Sequence, residues 1–122
     1  APVAFAENYV HRYADYVRAA MDAPAPSYPR YPAVMPGWDN SARRATGAHL
    51  FIGRAPALFE HWVRQTALRL ADRPREHRLL FINAWNEWGE GCHLEPCRTW
   101  GRAFLEALAA GLSLRRSRAP ER

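Results

Sequence analysis

The sequence predicts an α/β fold built from parallel βα units, and only part of one. Three observations carry this. Helical and strand-like stretches alternate as helix, strand, helix, strand, helix, the order that gives parallel strands joined by right-handed crossovers. The run Leu79-Leu80-Phe81-Ile82 is apolar at every position, which suits a parallel strand buried on both faces. Only two strands stand out, and two alone would leave long exposed edges. The chain therefore reads as the C-terminal part of a larger α/β protein.

The composition narrows the class. A chain of 122 residues with 48% hydrophobic and 24% charged content is long and apolar enough for one globular domain with a modest core. No apolar run approaches the ~20 residues of a bilayer-spanning helix, so no membrane span is expected. The net charge of +5 hints at nucleic acid, but all 17 basic residues are Arg, which points to a coding bias. The tail after Ser113 places four Arg against one Glu and so carries most of that excess. A nucleic-acid partner is not expected. Cys92 and Cys97 share one loop without C-x-x-C spacing. They suggest no metal site, and nothing requires a disulfide between them. The chain begins at Ala1 with neither a basic nor an apolar leader, and reads as starting inside a longer sequence.

Tyr9, Tyr13, Tyr16, Val17, Ala20 and Met21 recur at helical steps and predict a helix over 6–22, with the three Tyr as a packing stripe. Residues 23–32 hold four of the ten prolines and form a stiff connector. Ala33-Val34-Met35 is a short strand that opens through Pro36-Gly37 into Trp38, Asp39, Asn40, Arg43 and Arg44. Those polar and aromatic groups suit sugar. They equally suit an Asx-turn or helix cap by Asp39 and Asn40, with Trp38 as core filler.

Residues 46–54 read as a loop. A helix starts at Pro56, a residue suited to the first helical position. It carries Leu58, Phe59, Trp62, Val63, Thr66, Ala67 and Leu70 on one face to Ala71, and Asp72-Arg73-Pro74 ends it. His61 and His77 read as surface residues. Thr99 is expected to cap a last helix with Phe104, Leu105, Leu108 and Leu112 on one face, weakened near its end by Gly111. The domain spans 1–113, and 114–122 is an Arg-rich tail.

The chemistry concentrates after the apolar strand. There stand Trp85, Asn86, Glu87, Trp88 and Glu90, then His93 and Glu95. Parallel α/β folds place their sites at this end of a strand. Glycosyl transfer needs two carboxyl groups about the anomeric carbon, flat aromatic faces for pyranose rings, and amides for hydroxyls. Glu87 and Glu90 supply the pair, and Gly89 and Gly91 let the backbone bend and a ligand come close. In the competing reading the Trp are core and the Glu pair with Arg.

FINAWNEWGEGCHLEP, followed by GRAFLEA over residues 101–107, resembles the closing segment of the WbsX-like glycosyltransferases. That group is similar to glycoside hydrolase family 99, whose characterised members are endo-α-mannosidases and mannanases. PGWDNSARR, the Pro56 helix with Phe59 and Trp62, and the Tyr-rich first helix fit the same pattern. The resemblance implies a (β/α)8 TIM-type barrel, incomplete in this chain, of which these would be the C-terminal βα units. It implies that Glu87 acts as base on the substrate's 2-hydroxyl, giving a 1,2-anhydro-sugar, and that Glu90 is the acid/base at the glycosidic oxygen. Trp38, Asp39, Asn40, Arg43, Trp85, Asn86 and Trp88 would contact substrate, with His93 and Glu95 further out on the rim.

Cys97 stands where the family usually has Asp, which leaves that loop's contacts open. The implied partner is an oligo- or polysaccharide, or a sugar donor, in surface polysaccharide metabolism. No cofactor is implied, and the implied location is cytoplasmic. Hydrolysis and transfer both remain open, as does oligomeric state. The alternative is a truncated, inactive remnant, or a weak sugar-binding module using Trp38, Trp85 and Trp88.

Overall fold

The computed structural model describes residues 7–113. The chain runs twice through one unit of strand, helix, strand. The first unit is β1 (Tyr9–Arg12), α1 (Tyr13–Asp22) and β2 (Ala33–Val34). The second is β3 (His49–Ile52), α2 (Pro56–Ala71) and β4 (Phe81–Ile82). The units lie side by side: β1 pairs parallel with β3, Tyr9 opposite His49, and β2 pairs parallel with β4, Val34 opposite Ile82. A small antiparallel hairpin follows, β5 (Asn86–Glu87) with β6 (Cys92–His93), and then α3 (Ala103–Leu112). The parallel alternation expected from the sequence is present. The strands form three two-stranded sheets, and among the described residues no barrel closes.

Four expectations need correction. The helix expected over 6–22 begins only at Tyr13, and the stretch before it is β1. The loop expected over 46–54 contains β3. Each of these strands exists because the other is there to pair with it, and their ring contacts reinforce the pairing. Tyr9 stacks on His49 at 4.8 Å and His11 on Phe51 at 4.8 Å. Thirdly, β4 is not buried on both faces. Phe81 is 57% exposed, because β2 is its one strand neighbour among the described residues. Lastly, Thr99 does not cap α3, which starts after Arg102 with no side-chain cap. The tail 114–122 lies outside the described residues.

The Tyr stripe holds for two of its three members. Tyr13 is fully buried, edge-on to Trp62, and Tyr16 meets Phe51 and Trp62 edge-on. Tyr9 belongs to β1 and is exposed. Helix α2 buries Phe59, Trp62, Val63, Thr66 and Leu70, close to the face expected. Its partner is α3, which buries Phe104, Ala107 and Gly111 and leaves Leu112 exposed. Gly111 is therefore a contact point and not merely a weak end. A Cβ there would lie 2.7 Å from Val63 Cγ1 and 2.9 Å from the Glu60 carbonyl, so the missing side chain lets the helices approach.

A candidate sugar site where two loops interlock

The site grows from the C-terminal ends of β2 and β4. Tyr13 anchors the first end: its hydroxyl donates to the Met35 carbonyl at 2.8 Å. Burial raises the Tyr13 pKa and keeps the phenol protonated as that donor. The chain then turns at Asp39. The Asp39 carboxylate accepts from the Ser41 N–H at 2.9 Å and the Ser41 hydroxyl at 2.6 Å. This Asx-turn starts a short 3₁₀ turn, Ser41–Arg43. Asn40 is buried, and its Oδ1 accepts the His49 N–H at 2.8 Å, which fixes the start of β3. Trp38 is partly buried, and its carbonyl accepts the Phe51 N–H at 2.9 Å. The turn reading of Asp39 thus holds for its backbone role, while Asn40 ties down a strand.

The second loop follows β4. Residues 88–90 form a 3₁₀ turn between β5 and β6, and Gly91 closes it with φ +58°. An L side chain rarely adopts that conformation. A Cβ at Gly91 would also crowd Asp39, 3.2 Å from its Cβ and its N. The loops join there, since the Asp39 N–H donates to the Glu90 carbonyl at 2.8 Å.

Arg43 then reaches across. Its Nη2 lies 3.0 Å from Glu87 Oε1 and its Nη1 3.6 Å from Glu90 Oε1. The guanidinium packs over Gly89, where any Cβ would collide with it. The two carboxylates expected to act as a pair are thus brought together by one cation. The ion pairing with Arg weighed above is also present. All three side chains keep contact with solvent, so the bridge adds order more than stability.

The aromatic groups neighbour these carboxylates in sequence. Trp88 stacks on His93 with ring centroids 3.6 Å apart, and its indole N–H donates to Glu95 Oε2 at 2.6 Å. His93 is buried under that ring, and its Nδ1 lies 3.1 Å from the Glu95 carbonyl, a contact that requires the proton on Nδ1. Trp88 and Trp85 are each about half exposed, at 49% and 50%. Asn86 is exposed and stands opposite His93 in the hairpin. An open groove of about 620 Å³ runs beside Trp88 and His93 past Arg54, Pro96 and Arg98. Arg54 was not singled out in the sequence. It donates to the Gly91 carbonyl at 3.4 Å and lies over the Trp100 and Phe104 rings. Nothing local in the sequence signals those contacts. A larger cavity, about 800 Å³, lies away from the carboxylates between α1, α2 and the Pro-rich connector.

The two cysteines are free thiols. Cys92 is buried and donates to the Asn83 carbonyl at 2.6 Å, and burial pushes its pKa up to about 11. A thiol so shifted is not poised as a nucleophile. The Cys97 sulfur accepts the Trp100 N–H at 3.3 Å, so Cys97 serves the turn before α3. Among the described residues no three His, Cys, Asp or Glu side chains gather as a metal site. No described helix is long and apolar enough to cross a membrane.

The mixed α/β chain thus follows its parallel strands with two neighbouring carboxylates and half-exposed indoles, groups compatible with a sugar ligand. Comparison with known sequences assigns the family: residues 2–108 match the family described as Glycosyltransferase WbsX, and the chain belongs to it. Two curated relatives carry the name "Uncharacterized protein WxcX" and come from Xanthomonas campestris pv. campestris. The one from strain B100 is 39% identical over 113 residues, covering 92% of this chain and 16% of the relative. The one from a second strain is 42% identical over 99 residues, covering 80% of this chain and 14% of the relative. The chain thus spans about one sixth of these relatives' length. No solved structure matches.

Proposed function

We propose that this chain supplies the C-terminal βα units of a (β/α)8 catalytic domain that makes or breaks glycosidic bonds in surface polysaccharide. In this reading Glu87 and Glu90 are the reacting carboxyls. The observation that carries it is their convergence on one arginine in the loops that follow the parallel pair β2 and β4, in a stretch whose two indoles are half exposed. Two neighbouring carboxyls can serve the two proton transfers that cleavage or formation of a glycosidic bond needs, while Trp88 and Trp85 offer faces to pyranose rings.

In this reading Glu87 is the base at the 2-hydroxyl and Glu90 the acid/base at the glycosidic oxygen, the roles that the resemblance to glycoside hydrolase family 99 implies. Residues absent from this chain would pair the open side of the β2–β4 sheet and cover Phe81 and Leu79, 57% and 48% exposed.

The test uses the full-length protein that carries this segment. It is assayed on α-mannan and on bacterial surface polysaccharides, for new reducing ends and for transfer to oligosaccharide acceptors. Turnover that Glu87→Gln and Glu90→Gln each abolish, with polysaccharide binding retained in calorimetry, supports the assignment. Unchanged turnover in both variants overturns it.

A further inference from the structure

The family resemblance implies a substrate contact for Arg43, and the geometry gives it another task. We propose that Arg43 is a positioning residue, a latch that sets the spacing of Glu87 and Glu90 and locks the two site loops together, with Gly89 as the seat of its guanidinium. This rests on the proposed function of the same site.

Three observations support it. Arg43 sets Nη2 3.0 Å from Oε1 of Glu87 and Nη1 3.6 Å from Oε1 of Glu90, so one planar cation pairs with both carboxylates. The second oxygen of each is then the atom left to meet a hydroxyl. Next, the position of Arg43 is itself built. The Asx-turn of Asp39 starts the 3₁₀ turn that carries it, and the same Asp39 docks through its N–H on the Glu90 carbonyl. The latch therefore spans loops joined already at their backbones. Finally, Gly89 and Gly91 are each shaped to the opposite loop: a Cβ at Gly89 would strike the guanidinium, and one at Gly91 would crowd Asp39. A residue that only touched substrate would not need a glycine at position 89.

Lysine cannot replace the latch. Its ammonium is a compact charge with three rotatable donors and lacks the flat, rigid fork that holds two carboxylates at a set spacing. Alanine at Gly89 should act like loss of Arg43 itself, since the guanidinium is displaced while its charge remains.

Two experiments on the full-length protein test this. The first needs no substrate. Carbodiimide–amine labelling read by mass spectrometry follows the exposure of Glu87 and Glu90. In Arg43→Ala and Gly89→Ala both carboxylates should label several-fold faster together, whereas Arg43→Lys should release at least one of them. Unchanged labelling of both in Arg43→Ala overturns the latch.

The second uses the polysaccharide that the wild type turns over. Arg43→Ala should lower kcat about 100-fold, the cost of misplacing reacting groups by about an ångström, and leave KM within a few-fold. Added guanidinium ion should restore part of the rate in Arg43→Ala and none in Gly89→Ala, whose seat is filled. A loss confined to KM would make Arg43 a substrate contact and refute the latch. If Glu87→Gln and Glu90→Gln stop turnover while Arg43→Ala retains full kcat, the latch falls and the catalytic pair stands. If the Gln variants keep full activity, the catalytic pair falls, and the labelling result still decides the latch.

Discussion

The helix layer and the loop rim are built on opposite principles. Between α2 and α3 the contacts are apolar and closed to water: Phe59, Val63, Phe104 and Ala107 are each at most 5% exposed. Their fit depends on volume, down to the absent side chain of Gly111. At the rim the order is polar and half open. It depends on one backbone hydrogen bond between loops, one Asx-turn, one bridging arginine and two glycines. Burial of apolar surface contributes far more stability than exposed ion pairs do. The fold should therefore reside in the helices and the activity in the rim, and substitutions should separate the two.

The largest effect on stability is expected in the helix layer. Phe59→Ala should cost about 3–5 kcal/mol, because it opens a cavity against Phe104. Chemical denaturation reads that loss, and a cost near zero would mean that the helix layer does not hold the fold. Gly111→Ala should follow at about 1–3 kcal/mol, since the Glu60 carbonyl cannot yield as a flexible side chain would. Gly91→Ala should cost about 1–2 kcal/mol from the left-handed backbone alone, and should lower turnover more than that figure suggests by pushing Asp39 away.

The alkaline limb offers a finer separation. Cys92 releases its proton near pH 9 when unfolded and near 11 when folded. The unfolded chain then binds fewer protons than the folded one between those values, so stability falls as pH rises from 9 to 11. Cys92→Ala should flatten that limb in a pH series of melts, and an unaltered slope would contradict the assignment. Smallest in stability is Trp88→Ala. Its half-exposed ring should weaken polysaccharide binding while shifting the melting temperature little. A large fall in melting temperature would make Trp88 a core residue.

The same division decides what could be read from the sequence. Helix α2 was legible because Pro56 and the Phe59, Trp62, Val63, Leu70 face are local signals at helical spacing. The strand-end motif was legible because carboxyls, indoles and glycines crowd into one short run. Strands β1 and β3 were not. Tyr9 and Tyr13 share a helical step, and only pairing with His49–Ile52, far along the chain, makes Tyr9–Arg12 extended. The start of α3 was misplaced because it begins without a side-chain cap, so the Thr99 signal had nothing to act on. Arg43 stood out as a candidate but with a different task. Its reach to Glu87 and Glu90 depends on how close two loops come in space, which no spacing within either loop encodes.

The most direct test of the account is a paired measurement on Glu90→Gln in the full-length protein: polysaccharide turnover, and melting temperature against wild type. The account predicts that turnover falls at least about 100-fold, the usual scale of a lost general acid or base, while the melting temperature shifts by no more than about 2 °C. Retained turnover, or a collapse in melting temperature that explains its loss, would contradict the claim that the rim does the chemistry and the helices hold the fold.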